Sequence, residues 1–143
     1  MPRLKRTSSN LTRNGPTLTI RLEPILSVQE ILKAEGQAIP SVNLLGMIDT
    51  GASGTLVQTA AFKEIGVEPH AVVRLLTAST TDPLFRRKFR VRVVLAPTMA
   101  FEVDAVEGAL IGQNVQCLIG WDILEEVSFT YDGPNSRFSI SLK

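Results

Sequence analysis

Cysteine and histidine are nearly missing from this chain: each occurs once, as Cys117 and His70. A lone cysteine excludes an intrachain disulfide and any thiolate metal cluster, and it removes the main sequence argument for an oxidising compartment, so the cytoplasm is the expected setting. A lone histidine excludes Ser-His-Asp, Cys-His and multi-histidine zinc chemistry in one step. Charge of one sign is missing too. The formal net charge is only +1, so neither a nucleic-acid footprint nor an electrostatic funnel for an acidic substrate is expected. No apolar run approaches membrane-spanning length, and the basic start is followed by Ser, Asn, Thr and Gly instead of the apolar segment of a secretory signal. What remains for chemistry is carboxylates, hydroxyls and lysine.

What is present suits one folded domain. The chain has 143 residues, 44% apolar and 20% charged, enough for a real core and far from the signature of disorder. Residues 1–15, with Arg3, Lys5, Arg6 and Arg13 and no apolar periodicity, read as a flexible basic lead-in ending at Gly15-Pro16, and residues 16–143 as the domain. "TLTIRLEPI", 17–25, alternates Leu18, Ile20 and Leu22 against Thr19, Arg21 and Glu23, the period of a half-buried strand. "SVQEILKAEG", 27–36, opens with Ser27 and Glu30 at capping-box spacing and closes on Gly36, which predicts a short helix. "SVNLLGMI", 41–48, suits a strand covered on both faces, and 55–66 a turn or short helix. "HAVVRLLTA" and "FRRKFRVRVVLAP" read as two strands of a long hairpin around "STTDPL". "MAFEVDAVEG", 99–108, is another alternating strand. "VQCLIGWDILEEV" is an apolar strand that breaks at Gly120 into one helical turn. Residues 127–142 form a hairpin turning at Asp132-Gly133-Pro134-Asn135. Many short strands with little helix predict a small all-β barrel or sandwich.

"LLGMIDTGASGTLV", 44–57, carries the chemical question. Asp49 follows an apolar strand, where an ionised carboxylate is expensive unless amides or a partner meet it. Gly51 and Gly54 let the loop fold tightly enough to supply those amides. The plain alternative is an Asx-turn that ends a strand. Asp-Thr-Gly-Ala is nonetheless uncommon, appearing by chance in on the order of a few per thousand chains this long.

At these residues the chain resembles the retropepsin-like aspartic proteases, the single-domain relatives of pepsin. "MIDTGAS" resembles their catalytic loop, and "CLIGWDIL", 117–124, their second signature of two apolar residues and a glycine before a short helix, here Leu118, Ile119 and Gly120. The order of loop, polar-tipped hairpin and helix is similar as well. The resemblance implies an all-β closed barrel with one or two short helices, acting as a homodimeric aspartic endopeptidase on peptide or protein substrates, without metal or cofactor and without a nucleic-acid or membrane partner. It implies that Asp49 is catalytic, shared as a pair across the dimer, since like charges so close titrate as a unit with one member as base and the other as acid. It implies that Thr50 braces the two loops, that Gly51 admits the substrate backbone, and that Ala52 and Ser53 line the cleft. The hairpin 75–92 would be the flap, with Thr77, Ala78, Ser79 and Thr80 at its tip meeting a peptide bound as an added strand. Viral members carry an acidic residue where this chain has Ser53 and an arginine where it has Trp121, so the dimer contact is built otherwise, with the 127–142 hairpin as a candidate. The competing reading is a catalytically silent module that keeps this fold for dimerisation or peptide binding.

The other conspicuous residues favour ordinary roles. Cys117 is expected in the core. Trp121 packs at the dimer contact or covers the barrel end. His70 is a surface turn residue, and Arg86-Arg87-Lys88 a solvated hairpin edge that discourages strand-to-strand aggregation.

Overall fold

Strands whose side chains alternate can bury one face and wet the other, and the barrel is built from that alternation. The computed structural model describes residues 2–7, 11–75, 84–110 and 113–142. Within them lie β1 (Arg3–Thr7), α1 (Leu11–Asn14), β2 (Thr17–Glu23), α2 (Leu26–Ala34), β3 (Val42–Ile48), β4 (Leu56–Gln58) and α3 (Thr59–Glu64). There follow β5 (Ala71–Leu75), β6 (Leu84–Ala96), β7 (Met99–Gly108), β8 (Cys117–Ile119), α4 (Trp121–Leu124), β9 (Val127–Asp132) and β10 (Arg137–Leu142). The main sheet runs β2-β3-β8-β4-β7-β6-β5, and β6 returns to β2 through Arg21↔Val94, Leu22↔Val93 and Glu23↔Arg92. That last pairing closes six strands into a barrel and leaves β5 as an outlying edge.

The inward faces are those the period-2 pattern marks. Leu18, Ile20 and Leu22 of β2, Val91, Val93 and Leu95 of β6, and Val103 and Ala105 of β7 are buried together with Val57, Cys117 and Ile119. Each buried Val, Leu or Ile contributes about 1.5–3 kcal/mol relative to exposure, so this shared interior is what holds the closed sheet. Phe62 of α3 stacks on Phe89 of β6, centroids 3.9 Å apart, which plugs one end. β6 is long enough to serve two purposes. Its first residues, Leu84 to Lys88, pair with β5, and Arg92 to Val94 pair with β2, while β7 runs beside it from Lys88 to Ala96, with an irregularity between Val94 and Ala96.

Several expectations change here. The basic lead-in is built into the fold: β1 pairs antiparallel with β10, in a second sheet of order β1-β10-β9, and Leu4 and Leu11 are buried. Two isolated leucines among charges have no readable period, which is why the segment looked like a tail. The helix at 27–36 is α2, but Ser27 does not cap it. The chain enters the helix after Ile25, which has no side-chain cap, and the free amide of Leu26 donates instead to Glu102 Oε2 at 2.8 Å. Among the described residues there are four short helices where one or two were expected, and α1 has no counterpart in the sequence pattern. The run Arg86-Arg87-Lys88 lies on β6, inside the outermost strand β5; Arg86 and Arg87 are paired with β5 alone, and Lys88 is the first of the three paired on both sides. In the last hairpin Asp132 closes β9, and its carboxylate accepts from the Asn135 amide and side chain and from Arg137, which together hold it below the usual carboxylate range.

Candidate active site

β8 is inserted between β3 and β4, parallel to the first and antiparallel to the second. A chain leaving β3 must therefore pass over the end of β8 before it can come back as β4. Residues 49–55 make that passage, and they are the Asp-Thr-Gly-Ala-Ser-Gly-Thr stretch. Asp49 is still tied to the sheet, its amide donating to Ile119 O at 2.9 Å. Its half-buried carboxylate turns back along the loop, where Oδ1 accepts from the Gly51 amide at 2.9 Å, and the Ala52 amide donates to Asp49 O at 3.1 Å. The turn is as tight as the two glycines predict.

The second signature lies directly against this loop and holds it. The Trp121 amide donates to Ala52 O at 2.9 Å, and the indole Nε1 donates to Thr50 O. Gly120 has no room for a side chain, since a Cβ there would stand 2.5 Å from Gly54 O and 2.8 Å from Ala52 O. Leu118, Ile119 and Gly120 thus serve as the seat of the loop; Ile119 is fully buried and Gly120 buried.

Sequence reasoning missed the deepest part of the support. Thr55 is fully buried, and its amide and hydroxyl both donate to the Asp122 carboxylate, at 3.0 and 2.7 Å. The Ile123 amide donates to the same carboxylate at 2.9 Å, and the Gly120 amide donates to Thr55 Oγ1 at 3.3 Å. Asp122 in the first turn of a helix carries a local signal, since carboxylates favour helix starts. Its partner lies 67 residues away in sequence, and no local pattern points that far.

Beside the loop opens a cleft of about 860 Å³. Gly51, Ala52 and Ser53 line it, as does Leu118, and the opposite wall is the root of the β5–β6 hairpin with Val73, Arg74, Lys88 and Arg90. Asp49 and Thr50 are not among its lining residues. Thr50 is exposed, next to Trp121, a residue 54% exposed although its indole N–H is bonded. The expected flap tip, Thr77, Ala78, Ser79 and Thr80, lies outside the described residues.

Cys117 belongs to the core: burial, helped by the charge of Asp122, pushes its thiol up to about 12, so it stays protonated and unreactive. His70 does have a partner, its Nε2 lying 2.9 Å from Asp104 Oδ1, with Arg90 3.5 Å from the same oxygen. Across β6, the Arg87 side chain donates to both oxygens of Glu107 at 2.7 and 3.1 Å and the Arg87 amide adds a third bond at 2.8 Å. These bonds hold Glu107 at about 2. Among the described residues no three His, Cys, Asp or Glu side chains converge as a metal would require, and no helix is long and apolar enough to cross a membrane.

With this geometry in view, comparison with known proteins is specific about family. A family model described as aspartyl protease matches residues 36–123, which include the loop, the hairpin and the second signature. A solved structure of a retropepsin-like aspartic protease from Rickettsia conorii superposes with a TM-score of 0.52 at 16% identity, covering 97% of this chain and 89% of that one. The retroviral protease-like domain of Ddi1 from Leishmania major gives a TM-score of 0.47 at 14% identity, covering 90% of this chain and 89% of that one. No curated protein matches the chain by sequence. The closed six-stranded barrel, with the four short helices of the described residues, is a retropepsin-like fold.

Proposed function

Because the chain belongs to the aspartyl protease family, we propose that it is an aspartic endopeptidase that works as a homodimer, each copy contributing Asp49. The observation that carries the reading is the placement of Asp49: a carboxylate at a strand end, half-buried, fixed by the Gly51 amide, on a loop that borders a cleft wide enough for a peptide strand. One such loop is half a site. Hydrolysis by this route needs two carboxylates that hold one water and share one proton, and a twofold axis beside the loop brings in the second. The ionised member takes a proton from the water as it attacks the peptide carbonyl, while the protonated member donates to the carbonyl oxygen. The carboxyl that took the water's proton then passes it to the departing nitrogen, and the other carboxylate takes a proton from the diol. Collapse of the tetrahedral adduct breaks the C–N bond, releasing an amine and a carboxylic acid with the pair restored. No covalent enzyme intermediate forms, and no metal or cofactor takes part.

The assignments around Asp49 follow the same reading. In it Thr50, which is exposed, braces its counterpart across the axis, Gly51 admits the substrate backbone, and Ala52 and Ser53, which border the cleft, contact the peptide. The substrate lies as an added strand beneath the β5–β6 hairpin, with residues 77–80 meeting it from above. Its partners are a peptide and a second copy of the chain, in the cytoplasm, without nucleic acid or membrane.

The test is direct. Asp49→Asn and Asp49→Ala are expected to abolish peptide cleavage with the fold unchanged by circular dichroism and with dimerisation retained in sedimentation. Cleavage surviving in either variant overturns the assignment. A second reading, a silent module that binds peptides without cutting them, is favoured by one feature: Asp49 Oδ1 is already bonded within its own loop and the side chain does not line the cleft. Inhibition by a statine-type transition-state mimic separates the two, since a pure binder has no activity to inhibit.

A further inference from the structure

The run Arg86-Arg87-Lys88 is divided by the strand it lies on, because successive residues of β6 face opposite sides of the sheet. Arg87 goes to one side and is satisfied by Glu107. Lys88 goes to the other, into the cleft beside the catalytic loop, where it is half-buried and its register neighbours are Ala71 on one side and Val106 on the other. Among the other cleft charges, Arg90 is committed to Asp104, Glu102 to the Leu26 amide and Asp122 to Thr55, while Arg74 of β5 adds a second cation to the wall that carries Lys88. Among the described residues, Lys88 enters no ion pair or side-chain hydrogen bond, nor do Glu125 and Glu126, which line the cleft at the end of α4. An ammonium flanked by Ala71 and Val106 is partly stripped of water, and it attracts a carboxylate more strongly than a lysine on open surface does. The cleft thus has a cationic pole on β6 and an anionic pole after α4.

We propose that Lys88 is a specificity-determining residue, and that the cleft selects peptides with an acidic side chain opposite Lys88 and a basic one opposite Glu125 and Glu126. The inference rests on the proteolytic reading for the identity of the ligand as a peptide, and it adds which peptides. A lysine is a compact charge with three donors and no fixed fork, so either Asp or Glu satisfies it. The apolar wall around it disfavours a second cation, which would be left near Lys88 without a counter-charge.

A mixed peptide library digested by the wild-type chain, with cut sites read by mass spectrometry, is expected to show Asp and Glu enriched over Lys and Arg at one position a few residues from the cut. Lys88→Glu is expected to invert that preference, changing the acid-to-base ratio at that position by about tenfold, and Lys88→Met to flatten it. A ratio unchanged in both variants overturns the proposal. Binding is the second arm and does not depend on turnover. Full-length Asp49→Asn, titrated against two fluorescent peptides that differ only by Asp or Lys at that position, is expected to bind the Asp form several-fold more tightly at low salt, with the difference shrinking at high salt. Equal affinities overturn the proposal. If the wild-type chain cuts nothing, a pair carrying Asp or Lys throughout replaces the site-matched pair; charge-selective binding then preserves the inference while the proteolytic reading falls.

Discussion

The two sides of the cleft are held in place by opposite means. On one side the loop 49–55 is fixed from within: backbone bonds to Ile119 and Trp121, a glycine that leaves no gap, and a buried Thr55 on Asp122. On the other side the β5–β6 hairpin is a two-stranded ladder with β5 unpaired at its outer edge, rooted by the half-exposed Arg87 on Glu107. Interior polar contacts with no water to replace them make a position stiff and intolerant of change. A ladder with one free edge opens cheaply and answers to salt and pH. The wall that carries the carboxylate is thus the rigid one, and the hairpin wall opposite is the compliant one.

The sharpest way to break that contrast is at Gly120. An added Cβ would press on the Gly54 carbonyl, which is backbone and cannot swing aside. Gly120→Ala is expected to cost about 2–4 kcal/mol of stability and to remove peptide cleavage, as read from the urea midpoint and a turnover assay. A variant with the wild-type midpoint would mean that the loop is not held by its seat.

Thr55→Val comes next. The shape is kept, but Asp122 loses its hydroxyl donor and the Gly120 amide its acceptor. A loss of about 2 kcal/mol is expected, since hydrogen bonds to a charged group are worth about 1.5–3 kcal/mol, and Thr55→Ser is expected to recover most of it. Equal destabilisation by Ser and Val would assign the effect to packing instead of the hydroxyl.

On the compliant side the expected effect is smaller and depends on pH. Glu107 has its pKa lowered from 4.5 to about 2, chiefly by the side-chain hydrogen bond from Arg87. The unfolded chain therefore binds the proton more readily than the folded one. The stabilisation is fully present above about 4.5, the unfolded value, and is lost as pH falls toward about 2. Glu107→Gln is expected to lower the melting temperature at neutral pH and to converge with the wild type in strong acid. Curves separated by the same interval at all pH values would exclude the carboxylate as the cause.

The sequence made legible whatever depended on neighbours within a few residues. The strand at 99–108 was readable because Val103 and Ala105 alternate with polar positions, and the loop was readable because Asp49, Gly51 and Gly54 must lie close in sequence to make a tight turn. The partners Thr55 and Asp122 were not, because their meeting depends on β8 being threaded between β3 and β4. Leu4 is buried on a strand whose sheet partner lies at the far end of the chain, and Leu11 joins the same core from a helix of four residues, so nothing around them announces it. The basic run misled for a different reason: three like charges in a row look alike until the strand sends Arg87 and Lys88 to different faces.

The start of α2 offers the finest comparison, between a local signal that is present and a distant one that acts. Ser27 and Glu30 have capping-box spacing, yet the helix begins one residue earlier, at Leu26, which places Ser27 inside the first turn. Glu102 on β7 receives the Leu26 amide, so the barrel wall caps the helix. Ser27→Ala is therefore expected to change stability by no more than about 0.3 kcal/mol, whereas Glu102→Ala, which removes the acceptor at the helix start, is expected to cost about 1 kcal/mol. Hydrogen exchange at the Leu26 amide gives a reading that overall stability does not. It is expected to accelerate in Glu102→Ala and to stay at the wild-type rate in Ser27→Ala; the reverse order would return the cap to the local motif.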